Sequence, residues 1–310
     1  MLKYKSSTYN WIFDEDKCLF LRWGKTYKDD PTFSPIGPEV VSITISEPCL
    51  RKCQFCYRSA GDHGNIMSLS TFKQILEKLP SNVTEISFGV GSLKYVINDI
   101  ETMFKLCREH NITPNITLNP EDAYEYADKL SLCGGVAISC YDPELVLKAC
   151  EKLRVKMVST HIILAEEFRP LKEKLYTLLK MNKSKNLKQI TFLTLKPFGS
   201  GYKCKALSKE ESIEWIMEAT KLGVAIGGDS CNAILFEELF KTPQFIQRCS
   251  AGCFHCNIDV HGDFHTCSFS KDENLNVLQC KDFVKDIWNH SYIIEKRNKS
   301  ISNEGRCMLL

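Results

Sequence analysis

Three cysteines fall within one short stretch, Cys49, Cys53 and Cys56 in "EPCLRKCQFCYRSAG" (47–61), with three residues and then two between them. Thiolates are soft ligands that favour iron–sulfur clusters or zinc. A structural zinc usually takes four protein ligands, and two disulfides need four thiols. A trio therefore points to a metal site with one coordination position left open. A second field of thiols lies in "CSAGCFHCNIDVHGDFHTC", Cys249 to Cys267, with Gly262 between them in Cys-x12-Gly-x4-Cys form. A hairpin turn at His261-Gly262-Asp263 brings its two end thiols together. Cys253 and Cys256 form a Cys-x2-Cys pair inside this field, and Cys231, Cys280 and Cys307 flank it.

The chain carries 16 cysteines in 310 residues, a length that buries a large core without disulfide staples. The N-terminal "MLKYKSSTYNWIF" has neither an apolar signal region nor a cleavage site. No uninterrupted apolar run reaches membrane-spanning length. The expected compartment is a reducing cytoplasm, where clustered thiols read as metal ligands rather than disulfides. The formal net charge is +2, and no dense basic run with interleaved aromatics marks a nucleic-acid surface. Cys18, Cys107, Cys133, Cys140, Cys150 and Cys204 read as small core residues, although Cys140, beside the mouth described next, is also a candidate hydrogen-atom donor.

The elements that must position the trio alternate in type. Residues 9–24 read as two short strands around an Asp-Glu-Asp turn, and 29–39 as a proline-punctuated loop. "VSITIS" (41–46) is a buried strand that delivers the chain to the trio. Strands then follow at 84–89, 112–118, 134–140, 155–165, 187–195 and 223–229, separated by amphipathic helices. Asn119-Pro120-Glu121 and Asp142-Pro143-Glu144 open two of these helices, and Ser208 with Glu211 forms a capping box for another. About six strand–helix units and a closing strand imply a parallel sheet with right-handed crossovers. The fold class is α/β, a partial (β/α)6 TIM-type barrel with a small cysteine-rich C-terminal domain. The expected divisions are 1–40, 41–229 and 230–310, the last ending in one amphipathic helix over 281–299 with Phe283, Ile287 and Trp288 inward. In such a sheet, ligands sit at the C-terminal strand ends, where the trio lies.

Cys-x3-Cys-x2-Cys with aromatic Phe55 before the third cysteine, on the loop after the first barrel strand, resembles the signature of the radical SAM enzymes. The resemblance implies a 4Fe–4S cluster on Cys49, Cys53 and Cys56 whose open iron binds S-adenosylmethionine. An electron then breaks the sulfonium bond, and a 5′-deoxyadenosyl radical abstracts a substrate hydrogen. It also implies a reducing partner such as flavodoxin or ferredoxin. Phe88-Gly89-Val90-Gly91-Ser92 stands where the family has a Gly-Gly-Glu-Pro-like segment for the methionine amino group, here without the acidic residue. By the same likeness Ser139 and His161, with Phe55 and Tyr57 beside the trio, are cofactor-binding candidates. The alternative is a partial zinc site completed by a residue such as His63.

The second field resembles the opening half of the SPASM or twitch extension of that family, which carries auxiliary iron–sulfur clusters. "GGDSC", "CSF" and the N-terminal "RWGKTYKDDPTFSPIGPE" are similar to a narrower group within it. That likeness implies one auxiliary 4Fe–4S cluster on Cys231, Cys249, Cys267 and Cys307, with Cys253 and Cys256 as alternatives. A zinc site on that pair with His255 or His265 is the competing reading. The implied activity is radical modification of a ribosomally made peptide. The alternatives are radical dehydrogenation or rearrangement of a small molecule or nucleoside, and more remotely a non-enzymatic zinc-binding module. Only about 40 residues precede the trio, which leaves no room there for a winged-helix leader-binding domain and counts against the peptide reading.

Overall fold

The computed structural model describes residues 1–310 except Cys18, 182–185, 242–247, Lys271, 273–274 and 308–310. Cys18 thus lies outside the described residues. The chain begins with a three-stranded antiparallel sheet, β1 (Leu2–Tyr4), β2 (Asn10–Asp14) and β3 (Leu19–Trp23), in that spatial order. The sequence pattern marked the second and third strands only. β1 is too short to show an alternation, and pairing with β2 defines it.

The barrel sheet starts with β4 (Val40–Ser46). Then come α1 (Leu69–Lys78), β5 (Glu85–Val90), α2 (Ile100–Glu109), β6 (Thr113–Leu118), α3 (Pro120–Glu125), β7 (Gly135–Ser139), α4 (Pro143–Lys152), β8 (Met157–Ile163), α5 (Arg169–Lys180), β9 (Gln189–Leu193), α6 (Lys209–Ala219), β10 (Ala225–Gly228) and α7 (Ala233–Phe240). Side-chain caps start four of these helices, at Ser68, Asn119, Asp142 and Ser208. The Asn119 side chain accepts from the Asp122 amide at 2.8 Å, and the Ser208–Glu211 box is complete. Strands β4 to β10 pair in parallel and in sequence order, giving an open partial barrel. Alternate residues of the strands divide the layers: Val136, Ile138, Ile162 and Ile190 are buried against the helices, while Asn115, Ser139, His161 and Thr191 face the interior.

β11 (His255–Ile258), β12 (Asp263–His265) and β13 (Leu275–Asn276) continue this sheet, β11 pairing in parallel with β4. The expected hairpin is present, with Gly262 at φ +84° in its turn. The C-terminal unit therefore shares the barrel's sheet, and Phe264, Phe283, Ile287 and Trp288 join the barrel's hydrophobic core. The single helix expected over 281–299 is two pieces, a π-helical turn Phe283–Trp288 and α8 (Ser291–Ser302). His290 is extended at φ −60°, ψ 141°, and the Arg297 guanidinium takes the freed Trp288 carbonyl at 2.7 Å.

The N-terminal sheet closes the barrel at the N-terminal strand ends. Glu15 receives Arg108 Nη1 and Nη2 at 2.7 and 2.8 Å, Lys156 pairs with Asp16, and Glu39, just before β4, accepts from Arg22 Nε at 2.7 Å. Tyr9, Trp11 and Phe13 form a second core with Cys253 and Phe254. The opposite end carries the cysteine loop.

Candidate metal and cofactor sites

The trio occupies a loop that leaves β4 at Glu47 and returns at Ile66, which bridges back to Ser46. Three hydrogen bonds tie its root to the turn after β5. The Gly91 amide donates to Ser46 O at 2.9 Å, the Ser92 amide to Pro48 O at 3.0 Å, and the Leu50 amide to Ser92 Oγ at 3.2 Å. Gly91 is required there: a Cβ on it would lie 2.2 Å from Pro48 O and 2.7 Å from Glu47 O. The inner turn is closed by the Cys49 amide to Gly61 O at 2.5 Å and the Cys56 amide to Cys53 O at 3.2 Å.

Two supports were not legible in the sequence. Tyr141, two residues past Ser139, donates its hydroxyl to the Cys53 sulfur. Burial pushes the Cys53 thiol up, while the Arg51 charge and the Tyr141 hydroxyl work the other way. Arg51 lies 4.2 Å from the Tyr141 ring centroid and pairs with Glu121 at 2.5 Å. The second support is the 199–201 turn. Gly199, at φ +54°, passes so close to the loop that a Cβ would sit 2.4 Å from Tyr57 O, and the Ser200 amide donates to Cys56 O at 2.9 Å. Only a "GSG" tripeptide hints at this, and nothing local says which backbone it meets.

The other candidates fall into distinct places. Gly89, Ser139 and His161 line the barrel interior on β5, β7 and β8. Burial holds the His161 imidazole down at about 4, so it is neutral at pH 7. The Ser92 hydroxyl faces the cysteine loop, accepting from Leu50 and lying 3.9 Å from Cys49 Sγ; its position suits holding the loop. Phe55 packs on Tyr141 and Phe168 with centroids 5.3 and 4.9 Å away, beside a cleft of about 370 Å³. Tyr57 meets Phe269 edge-on at 4.7 Å and receives the Ser268 hydroxyl, so it ties the loop to the C-terminal unit. Cys140 does not reach the mouth. It is fully buried on the helix side of the sheet near Thr160, because strand alternation turns it away from Ser139's side. His63 is 95% exposed beside Asp62 and leaves the trio without a fourth protein ligand from that side.

The second field gathers around the barrel's open edge. Lys196 donates to Asp229 at 2.8 Å and also contacts Cys231. Cys231 is hydrogen-bonded to Cys307, which together with burial pushes its thiol well up. The Cys249 amide donates to Gly305 O at 2.9 Å, fixing the tail that carries Cys307. Cys249 and Cys267 feel each other and Cys307 electrostatically. The Cys253 and Cys256 pair departs from expectation. Cys253 turns into the aromatic second core and Cys256 into the main core, so the two side chains serve different hydrophobic clusters. His255 is hydrogen-bonded to Ser42 at 2.8 Å and His265 faces Asp259, so neither completes a zinc site with that pair.

Burial sorts the thiols. Cys49, Cys53, Cys56, Cys231, Cys249, Cys267 and Cys307 are half-buried, as is Cys204, whereas Cys107, Cys133, Cys140, Cys150, Cys253, Cys256 and Cys280 are buried. All of these are free thiols. Among the described residues no three His, Cys, Asp or Glu side chains gather tightly enough for one metal ion.

No family model matches the sequence, and no curated protein matches it significantly. Solved structures do match. SuiB of Streptococcus suis bound to its precursor peptide SuiA superposes with TM-score 0.68 at 16% identity, over 84% of this chain and 67% of that one. SuiB bound to S-adenosylmethionine gives 0.64 at 16%, over 89% and 72%. The structure of anSMEcpe with AdoMet and the Cp18Cys peptide gives 0.58 at 14%, over 83% and 82%. The fold is theirs. At such identities the likeness speaks for architecture, a partial barrel extended at one edge by a C-terminal unit.

Proposed function

We propose that the protein is a radical SAM enzyme that modifies a ribosomally made peptide. The observation that carries this is the placement of three half-buried thiols on a pinned loop at the C-terminal strand ends of a partial parallel barrel. The donor set fits an iron–sulfur cluster, and the Gly91 turn brings bare backbone close to it. Bound there, a 4Fe–4S cluster would supply the electron that cleaves S-adenosylmethionine to the 5′-deoxyadenosyl radical. Cys49, Cys53 and Cys56 would hold it, and Tyr141 would donate a hydrogen bond to the Cys53 sulfur. Gly89, Ser139 and the neutral His161 would line the cofactor's side of the interior. Cys231, Cys249, Cys267 and Cys307 would hold an auxiliary cluster, with the Lys196 ammonium offsetting its negative charge.

Two features support a peptide substrate over a small molecule. Fold neighbours were solved with peptides bound. A groove of about 1070 Å³ also runs along the barrel's open seam, between Gly228 on β10 and Cys249–His255. Anaerobic reconstitution tests the reading: wild type should hold about eight irons and the Cys49/Cys53/Cys56→Ala triple variant about four. A reduced, reconstituted wild type that cleaves no S-adenosylmethionine refutes the enzyme. Zinc without labile sulfide in the second field refutes the auxiliary cluster.

A further inference from the structure

The barrel interior contains a cavity of about 340 Å³ that runs from His161 to the N-terminal plug. It lies between inward residues of β5 to β8 and the plug residues Phe13 and Phe20. Ser87, Asn115, Thr117, Ser159 and the neutral His161 give its wall uncharged polar groups. Two carboxylates line it, Glu15 and Glu85, and among the described residues no lysine or arginine does. Glu15 is engaged by Arg108 through both oxygens. Glu85 has one side-chain donor recorded among the described residues, Asn115 Nδ2 at 2.8 Å on Oε1. Asn115 is itself fixed, since its Oδ1 accepts from the Gly135 amide at 2.8 Å.

A carboxylate withdrawn from water costs free energy unless donors or a cation replace the lost hydration. Burial does push the Glu85 carboxyl up. Glu85 and Phe20 also line the seam groove, so the cavity and the groove meet at this residue. The groove's own cations are occupied: Arg22 pairs with Glu39 and Arg248 with Glu237 at 2.6 Å. We infer that Glu85 receives a basic group of the substrate, an amine or a guanidinium, reaching into the barrel from a chain that lies in the seam. The inference rests on the peptide reading only for the source of that group. The cation site itself needs neither cluster nor S-adenosylmethionine.

Calorimetry on the full chain tests it, with Nα-acetyl-lysine amide, Nα-acetyl-arginine amide, Nα-acetyl-norleucine amide and cadaverine as probes. Glu85→Gln keeps the volume and the acceptor for Asn115 but removes the charge. At least one cationic probe should bind wild type, and roughly ten-fold more weakly to Glu85→Gln, ~1.4 kcal/mol. The norleucine amide should bind wild type at least roughly ten-fold more weakly than that probe. Equal binding of the norleucine amide, equal binding by Glu85→Gln, or no binding of any cationic probe up to about 10 mM overturns the inference. Binding of cadaverine but of neither amide keeps the cation site and removes the peptide as its source. Cation binding by a protein that cleaves no S-adenosylmethionine refutes the enzyme while leaving this site in place.

Discussion

Gly91→Ala concentrates the structural argument in one methyl group. The new Cβ would stand 2.2 Å from Pro48 O and 2.7 Å from Glu47 O. Both atoms are backbone, so no rotamer change relieves the clash, and the strands must part by about 1 Å to restore van der Waals contact. The hydrogen bonds in that gap are Gly91 to Ser46, Ser92 to Pro48 and Leu50 to Ser92. At about 1 kcal/mol each they amount to about 3 kcal/mol, a large share of a typical total of roughly 5–15 kcal/mol. The strain falls on the root of the cysteine loop, next to Cys49, while the buried faces of the strands stay packed. The expected result is a folded protein that loses most of the trio's iron after anaerobic reconstitution and keeps the auxiliary iron. Gly89→Ala is the comparison, because its Cβ would lie 3.3 Å from the Thr44 hydroxyl and 3.5 Å from Ile43 O and Thr44 Cα, and iron content should stay near wild type. Full iron in Gly91→Ala, with an unchanged melting temperature, would refute the pinned-loop argument.

Cysteine substitutions should separate ligands from core. Cys307→Ala is expected to lower reconstituted iron in the second field, whereas Cys256→Ala should keep that iron and lower stability by about 1 kcal/mol through the small cavity it leaves; iron assays and urea melts distinguish them. Asp272 anchors the turn after Cys267, accepting from the Thr266 amide at 2.6 Å, Thr266 Oγ1 at 2.8 Å and Ser270 Oγ at 2.6 Å, and pairing with Lys296. Burial acts to raise its carboxyl, but Lys296 and these donors outweigh it and hold it down at about 2, from an ordinary 3.8. A depressed carboxyl stabilises fully above pH 3.8 and loses that contribution as pH falls towards 2. The interval corresponds to about 2 kcal/mol. Urea unfolding should show Asp272→Asn destabilised by about that much at pH 7, with the gap to wild type narrowing near pH 2. A gap independent of pH would count against the charge as its cause.

Features with a local cause were legible in the sequence. The seven barrel strands follow from apolar runs bounded by caps such as Asn119 and Ser208, and the hairpin at Gly262 from its turn residues. The trio stands out as a candidate because its spacing is itself the signal. The features that escaped depend on distant partners. Tyr141 supports Cys53 across 88 positions of chain, and nothing in "SCYDP" marks its hydroxyl as aimed at a sulfur. The Gly199 turn is meaningful only against the carbonyls of Cys56 and Tyr57. Cys140 misled because the end of β7 fixes the distance to the mouth but not the side on which a thiol falls. The break at His290 escaped because the apolar spacing of Phe283, Ile287 and Trp288 continues into a helix pattern, and only the Arg297 contact shows where the first turn stops.

The plug at the base of the barrel also sets an order of assembly. Tyr9, Trp11 and Phe13 are covered by Cys253 and Phe254, and the Ser34 amide reaches Cys253 O at 2.8 Å. These residues thus wait for partners some 240 positions downstream, which at about 5–20 residues per second of synthesis is roughly 12–48 s. Throughout that interval an aromatic hairpin with unpaired edges is without its cover, a hazard for sticking to other chains. When Cys253 arrives it closes the floor and, in the same few residues, delivers Cys249 to the second thiol field. Completion of the barrel and gathering of the second thiol field are therefore one folding event, and slow closure of the floor would show itself first as aggregation of the N-terminal hairpin.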